Sequence, residues 1–217
     1  MLRLVYYSRN PRYLTLLGLG LVILLPILSI ASSNPVFKPT LTITKVSGNI
    51  DVDGQLNDPG WQGAAKIDNF VERDPGDNIP PLVETEVLIS YDDDNLYVAF
   101  KCQDDPNEIR TSMTQYDDID GDDMVSVILD PYGTATLAYE FFVNPYGIQG
   151  DALWSNIGGE NEGFNLIWKS AAKITNSGYQ VEIAIPFTSM RFPNKDIQTW
   201  RMDFWRFHPR EVSHRYS

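Results

Sequence analysis

The chain has 217 residues, 43% of them hydrophobic and 21% charged, which suits one or two folded domains and excludes a disordered or fibrous chain. Its 17 basic residues stand against 29 acidic ones, a net charge of −12, which argues against a nucleic-acid partner because phosphates need a basic footprint. One cysteine, Cys102, and two histidines, His208 and His214, leave no intrachain disulfide, no thiolate metal cluster and a poor basis for a Ser-His-Asp or multi-histidine site.

Arg3, Arg9 and Arg12 precede an uncharged run over residues 13–31, and no acidic residue occurs before Asp51. A basic start, an apolar stretch over 14–30 and the small residues Ser29 and Ala31 predict a signal peptide cleaved after Ala31. The alternative is an uncleaved membrane anchor, since the stretch is nearly long enough to span a bilayer. Either one delivers the remainder to the periplasm, the outer membrane or the outside. Without residues 1–31 the charge is 14 basic against 29 acidic residues, or −15. Residues 32–40 read as a Ser/Pro linker, and 41–217 as one β domain.

Period-two alternation then recurs at short intervals. Val87, Ile89 and Tyr91 share a face, and the turn Asp92-Asp93-Asp94-Asn95 returns the chain to Leu96, Val98, Phe100 and Cys102. Val125, Val127 and Leu129 predict a third strand and Tyr139, Phe141 and Val143 a fourth, each closed by a Pro-Tyr-Gly turn. Tyr179, Val181, Ile183 and Ile185 follow Asn176-Ser177-Gly178, and residues 200–207 alternate as a last strand. Single helical turns are expected only near 58–65 and 188–191. Short strands punctuated by Gly, Pro and Asp predict an all-β, antiparallel β-sandwich of jelly-roll or immunoglobulin-like type.

The opening Val52-Asp53-Gly54-Gln55-Leu56-Asn57-Asp58-Pro59-Gly60-Trp61 resembles the start of the family 9 carbohydrate-binding module. Later segments match in the same order: the strand pair around Val87 and Leu96, then Asp122-Asp123-Met124-Val125, then Gly178-Tyr179-Gln180-Val181-Glu182-Ile183-Ala184-Ile185-Pro186-Phe187. The stretches Phe141-Phe142-Val143-Asn144-Pro145-Tyr146-Gly147 and Met190-Arg191-Phe192 are similar to the variant at the N-terminus of long exported bacterial proteins of outer-membrane type. The resemblance implies a domain followed by a large C-terminal region, and the alternation in 200–207 adds the expectation that the sandwich is truncated. It also implies a stacking tryptophan before the third strand, where this chain has Asp120-Gly121-Asp122-Asp123 with Tyr116 the nearest aromatic. A sugar-binding Glu of that strand falls on Ser126.

The residues themselves offer a sugar site. A pyranose needs a flat apolar platform and short polar groups beside it. Trp154 and Trp168 flank the polar loop over 155–163, in which Asn156, Glu160, Asn161 and Glu162 supply hydrogen bonds. Tyr116 and Tyr146 offer a second platform, while Trp61, Trp168 and Trp200 also suit a core. The expected sugar-binding set is Trp154, Tyr116, Asn156, Asn161 and Glu162, for a glycan or sugar end. Asp117, Asp118, Asp120, Asp122 and Asp123 suggest either a structural calcium or a solvated loop.

Glycoside hydrolysis needs a tuned carboxylate pair, and no spacing here singles one out. Glu140 and Glu182 alternate with apolar neighbours as structural or surface residues. No catalytic residue is assigned, and any hydrolase activity belongs to a C-terminal region outside this sequence. Haem on Met113, Met124, Met190 or Met202 is disfavoured by the scarcity of histidine. The expected function is a non-catalytic carbohydrate-binding domain of an exported protein engaged in polysaccharide binding or breakdown. A plug or docking domain for an outer-membrane partner is the alternative.

Overall fold

The alternation becomes twelve strands among the described residues of the computed structural model, which are 40–217. The expected signal segment over 1–31 lies outside them. The strands are β1 (Ala65–Ile67), β2 (Glu72–Asp74), β3 (Thr85–Tyr91), β4 (Asn95–Gln103), β5 (Met124–Asp130), β6 (Leu137–Val143), β7 (Gln149–Ser155), β8 (Gly159–Asn161), β9 (Lys169–Thr175), β10 (Gly178–Pro186), β11 (Arg201–Pro209) and β12 (Ser213–Tyr216). Two 3-10 turns, Pro59–Trp61 and Phe187–Ser189, are the helical pieces.

The strands form two antiparallel sheets, ordered β1-β3-β4-β10-β9 and β2-β12-β11-β5-β6-β7-β8. Their inner faces are the alternating apolar positions. Val87 pairs with Phe100 and Phe100 with Val181, while Ile89 pairs with Val98 and Val98 with Ile183. Facing them, Val127 sits between Phe204 and Phe141, and Leu129 between Met202 and Tyr139. Most of these side chains are buried in one cluster. Each contributes about 1.5–3 kcal/mol through the apolar area it removes from water.

The outer face of the five-stranded sheet is covered by the chain's own N-terminal segment. Ile50, Trp61, Tyr97, Ala99 and Ala184 form a second apolar cluster, with Val46, Val52 and Leu56 against it. Glu182 lies on this face, paired with Ala99 and Ala171. Its carboxylate accepts hydrogen bonds from Trp61 Nε1 at 2.8 Å, Gly54 N at 2.8 Å and Asp53 N at 3.0 Å. Gly54 has φ +83°, and a Cβ there would come within 2.9 Å of the Ala172 backbone, so glycine alone fits both turn and contact. The Val-Asp-Gly…Trp pattern is thus the strap that closes the sandwich on this side.

Residues 200–207, expected as a last strand in need of a partner, are flanked on both sides. β11 pairs with β5 and with β12, and β12 pairs with β2. The turn after β3 forms around Asp92, whose Oδ1 accepts the amides of Asp94 and Asn95.

Candidate functional site

The seven-stranded sheet has an outer face as well, and strand parity fixes what stands on it. Opposite residues of paired strands share a face. Trp205 on β11 pairs with Ser126 on β5, Ser126 with Phe142 on β6, and Phe142 with Gly150 on β7. In the next row Ile128 pairs with Glu140 and Glu140 with Ala152; in the third, Ala138 pairs with Trp154 and Trp154 with Glu160 on β8. None of these side chains points between the sheets.

Five of these positions are nevertheless enclosed, Gly150 among them. Ser126, Glu140, Ala138 and Ala152 are at most 8% exposed. Small residues make the floor, and larger ones rise around it. Trp205 stacks on Phe207 with ring centroids 6.3 Å apart, and Phe142 lies 6.5 Å from the same ring. Trp154 stands diagonal to Glu140 across β6 and β7. On the far side the loop before β5 leans over Gly150, where a Cβ would meet Asp117 Oδ1 at 3.4 Å and Ile119 Cδ1 at 3.6 Å.

Two polar atoms in this cradle have no partner: Ser126 Oγ and Glu140 Oε2. Leaving a buried polar atom unpaired costs about 1–3 kcal/mol, and more for a charge. Burial, and then the charge of Glu160, pushes the Glu140 carboxyl up to about 7. Glu160 is raised as well, by burial and then by Glu162 and Asp120. The arrangement sets two enclosed, unpartnered polar atoms beneath indole and phenyl rings on one sheet face.

The residues expected from sequence are divided by β7. Trp154 lies on the outer face with Glu160. Asn156 and Glu162 are exposed at the β7–β8 hairpin and just after it. Asn161 pairs with Leu153, which has the opposite parity, and its Oδ1 accepts the Gly163 amide. Tyr116 turns away from the cradle. Its hydroxyl donates to Asp151 Oδ2, and Asp151, paired with Phe141, points inward. Trp168 Nε1 donates to the same oxygen at 2.7 Å. The structure therefore joins Trp154 to Glu140, Phe142 and Trp205, none of which the sequence reading selected, and to Ser126, on which it placed the resembling family's sugar-binding Glu. Their sequence signal is faint but present: Ser126 and Glu140 interrupt the apolar runs of β5 and β6 at outward positions.

Other concavities offer less. A shallow cleft of ≈ 520 Å³ is lined by Val52, Tyr116, Gly147, Gln149, Trp168 and Ser170 among others. Trp168 is buried within the protein, packed edge-on against Phe141, so the aromatic ring this cleft exposes is that of Tyr116, whose hydroxyl is already committed to Asp151.

The acidic loop does not form one cation shell. Asp122 is buried and accepts from Ser112 N at 2.9 Å and Asn144 Nδ2 at 2.8 Å. Asp123 accepts from Arg110 N and pairs with Arg210 at 2.8 Å. Asp104, Asp123 and His208 are the one metal-like trio among the described residues. Arg206 and Arg210 already lie 2.8 and 2.7 Å from Asp104, so two guanidinium groups fill the place a cation would take.

Comparison with known proteins sets this face in context. The family model for "Carbohydrate family 9 binding domain-like" matches residues 52–204. The chain is 31% identical over 163 residues to the exoglucanase XynX of Acetivibrio thermocellus, an alignment covering 74% of this chain and 14% of that protein. Among solved structures, a putative carbohydrate-binding protein of Bacteroides uniformis superposes with a TM-score of 0.63 at 13% identity, covering 80% of this chain and 86% of the other. A family 9 carbohydrate-binding module of Caldicellulosiruptor kristjanssonii, solved with glucose, gives 0.57 at 17% identity, covering 80% and 84%. A family 9 carbohydrate-binding module of the same organism, solved with cellotriose, gives 0.55 at 18%, covering 80% and 82%.

Proposed function

The chain belongs to the carbohydrate family 9 binding domain-like family, and from that premise we propose that it binds a glycan or sugar end on the outer face of its seven-stranded sheet. The observation that carries this reading is the pair of buried, unpartnered polar atoms, Ser126 Oγ and Glu140 Oε2, set between Trp154 and Trp205. A pyranose presents hydroxyls to the first and a flat C–H face to the second. The Caldicellulosiruptor structures with glucose and with cellotriose support the same ligand class.

Binding is non-catalytic in this reading, and the domain works as the targeting part of a larger exported protein. Support comes from the basic-then-apolar N-terminal pattern and from the much greater length of the exoglucanase relative. The reading is tested by titrating the chain calorimetrically with glucose-, xylose- and mannose-based oligosaccharides, beside Trp154→Ala. Trp154 is half-buried on the outer face of β7, so its loss should weaken binding at least tenfold while the thermal midpoint stays within a few degrees. Binding unchanged by the substitution would move the site, and no binding by the folded chain would end the sugar reading.

A further inference from the structure

Among the described residues the charge that acts on Glu140 is negative, and the guanidinium groups of this face, Arg215 over the Phe207 ring and Arg73 toward Asp203, lie at its β11 side. No Lys, Arg or His occurs anywhere in residues 111–168, the stretch that supplies β5 to β8 and the loop beside them. Glu160 acts on Glu140, Glu162 and Asp120 act on Glu160, and Glu162 also acts on Asp117. No ion pair among the described residues includes any of these five carboxylates. Four of them stand in or near solvent, where repulsion is screened. Glu140 does not: it is 8% exposed, with one carboxylate oxygen unpaired.

A buried carboxylate without a counter-charge is satisfied by its proton or by a ligand cation. A bare metal ion suits the geometry poorly. Calcium needs six to eight oxygens at close range, and the tight three-ligand grouping among the described residues is Asp104, Asp123 and His208, not this one. Carboxylates spread along β6, β8 and the neighbouring loop instead match positive charge distributed over a larger molecule. An ammonium group offers three donors and no acceptor, which suits the Glu140 carboxylate, 8% exposed, better than a hydroxyl does. Trp154, diagonal to Glu140, adds a ring face that attracts a cation and stacks on a sugar.

Resting on the sugar-binding reading above, we propose that the preferred ligand is a cationic glycan, one whose bound end carries an unacetylated amino sugar with its ammonium against Glu140 and its ring on Trp154. Anionic glycans bearing uronate or sulfate are excluded by the same carboxylates.

The test is calorimetric titration of the full chain with three trimers of equal length, of glucosamine, N-acetylglucosamine and glucose, at neutral pH. The glucosamine trimer should bind at least tenfold more tightly than the other two. Glu140→Gln should abolish that preference, bringing the glucosamine and glucose trimers to within about threefold of each other, since one charge pair at a desolvated site accounts for a factor of ten or more. Glu160→Gln, at an exposed position, should reduce the preference and serves if the buried substitution fails to fold. The chain's overall charge attracts any polycation weakly, but that attraction survives both substitutions. Equal affinity for the three trimers overturns the charge assignment and leaves the sugar reading intact. A preference that survives both substitutions overturns the placement at Glu140. Calcium chloride that binds at these carboxylates and displaces the glucosamine trimer overturns the amino-sugar reading in favour of a metal site. Failure of every trimer to bind overturns both readings.

Discussion

Removing the Glu182 carboxylate tests the strap that the N-terminal segment lays over the five-stranded sheet. Glu182 is fully buried and satisfies three donors from a segment more than a hundred residues away: Trp61 Nε1, Gly54 N and Asp53 N. Glu182→Ala strips acceptors from all three. At about 1–3 kcal/mol for each buried donor left unpaired, and less for the half-buried Asp53 amide, the loss comes to about 4 kcal/mol. Glu182→Gln keeps the shape but turns an NH2 group toward either Trp61 or the two amides. Burial holds the Glu182 carboxyl above its ordinary value, so losing the charge offsets part of that cost, leaving about 2 kcal/mol. For a domain of this size the thermal midpoint should fall roughly 12 °C for Ala and roughly 6 °C for Gln. The assay is thermal unfolding of each variant followed by far-UV circular dichroism and by tryptophan fluorescence. Trp61→Phe should cost about 1 kcal/mol less in the Ala background than alone, because both changes break the same bond while the lost indole packing is common to both backgrounds. An Ala variant melting within about 2 °C of the parent would refute the strap as an energetic element.

Two further expectations concern buried charge. The Glu140 carboxyl moves from 4.5 to about 7 on folding, so the folded chain holds that proton more tightly; the resulting stability is full below pH 4.5 and is lost as pH rises toward 7. Glu140→Gln should therefore match the parent near pH 4 and exceed it by about 3 kcal/mol at pH 8, read from urea midpoints at the two pH values. Arg206 is fully buried and lies 2.8 Å from Asp104; Arg206→Met should cost about 3 kcal/mol in urea unfolding, at the low end for a broken buried pair because Arg210 still faces Asp104.

Much of the fold was legible along the chain, and the reason is local. A strand with one face on a core must alternate, so β3, β4, β5, β6 and β10 each announce themselves within seven to nine residues. Turn residues report backbone geometry directly, as Asp92 does by accepting two amides within its own hairpin. The 3-10 turns fell near their expected places because Pro59 and Pro186 mark them. Less was readable at β2, β8 and β12, which have three, three and four residues. Strands that short carry no period, and their partners alone define them.

The site divided in the same way. Trp154 was visible as an aromatic beside a polar loop, and its place on the outer face agrees with that. Tyr116 was equally visible, yet its hydroxyl is spent on Asp151, a residue 35 positions away. Glu140 read as a structural or surface residue and Ser126 as the place of a sugar-binding Glu in the resembling family, and only the assembled sheet sets the two in one enclosed cradle. Alternation tells which residues turn away from the core, and the sequence by itself determined that much, together with the acidic balance, the missing cations of 111–168 and the strap motif. Whether an outward residue meets water or an enclosed cradle depends on which strands lie beside it and what loops lean over them. Those neighbours come from β5, β6, β7 and β11, spread over some eighty residues, so the burial and open valences of Glu140 and Ser126 were decided by the tertiary structure alone.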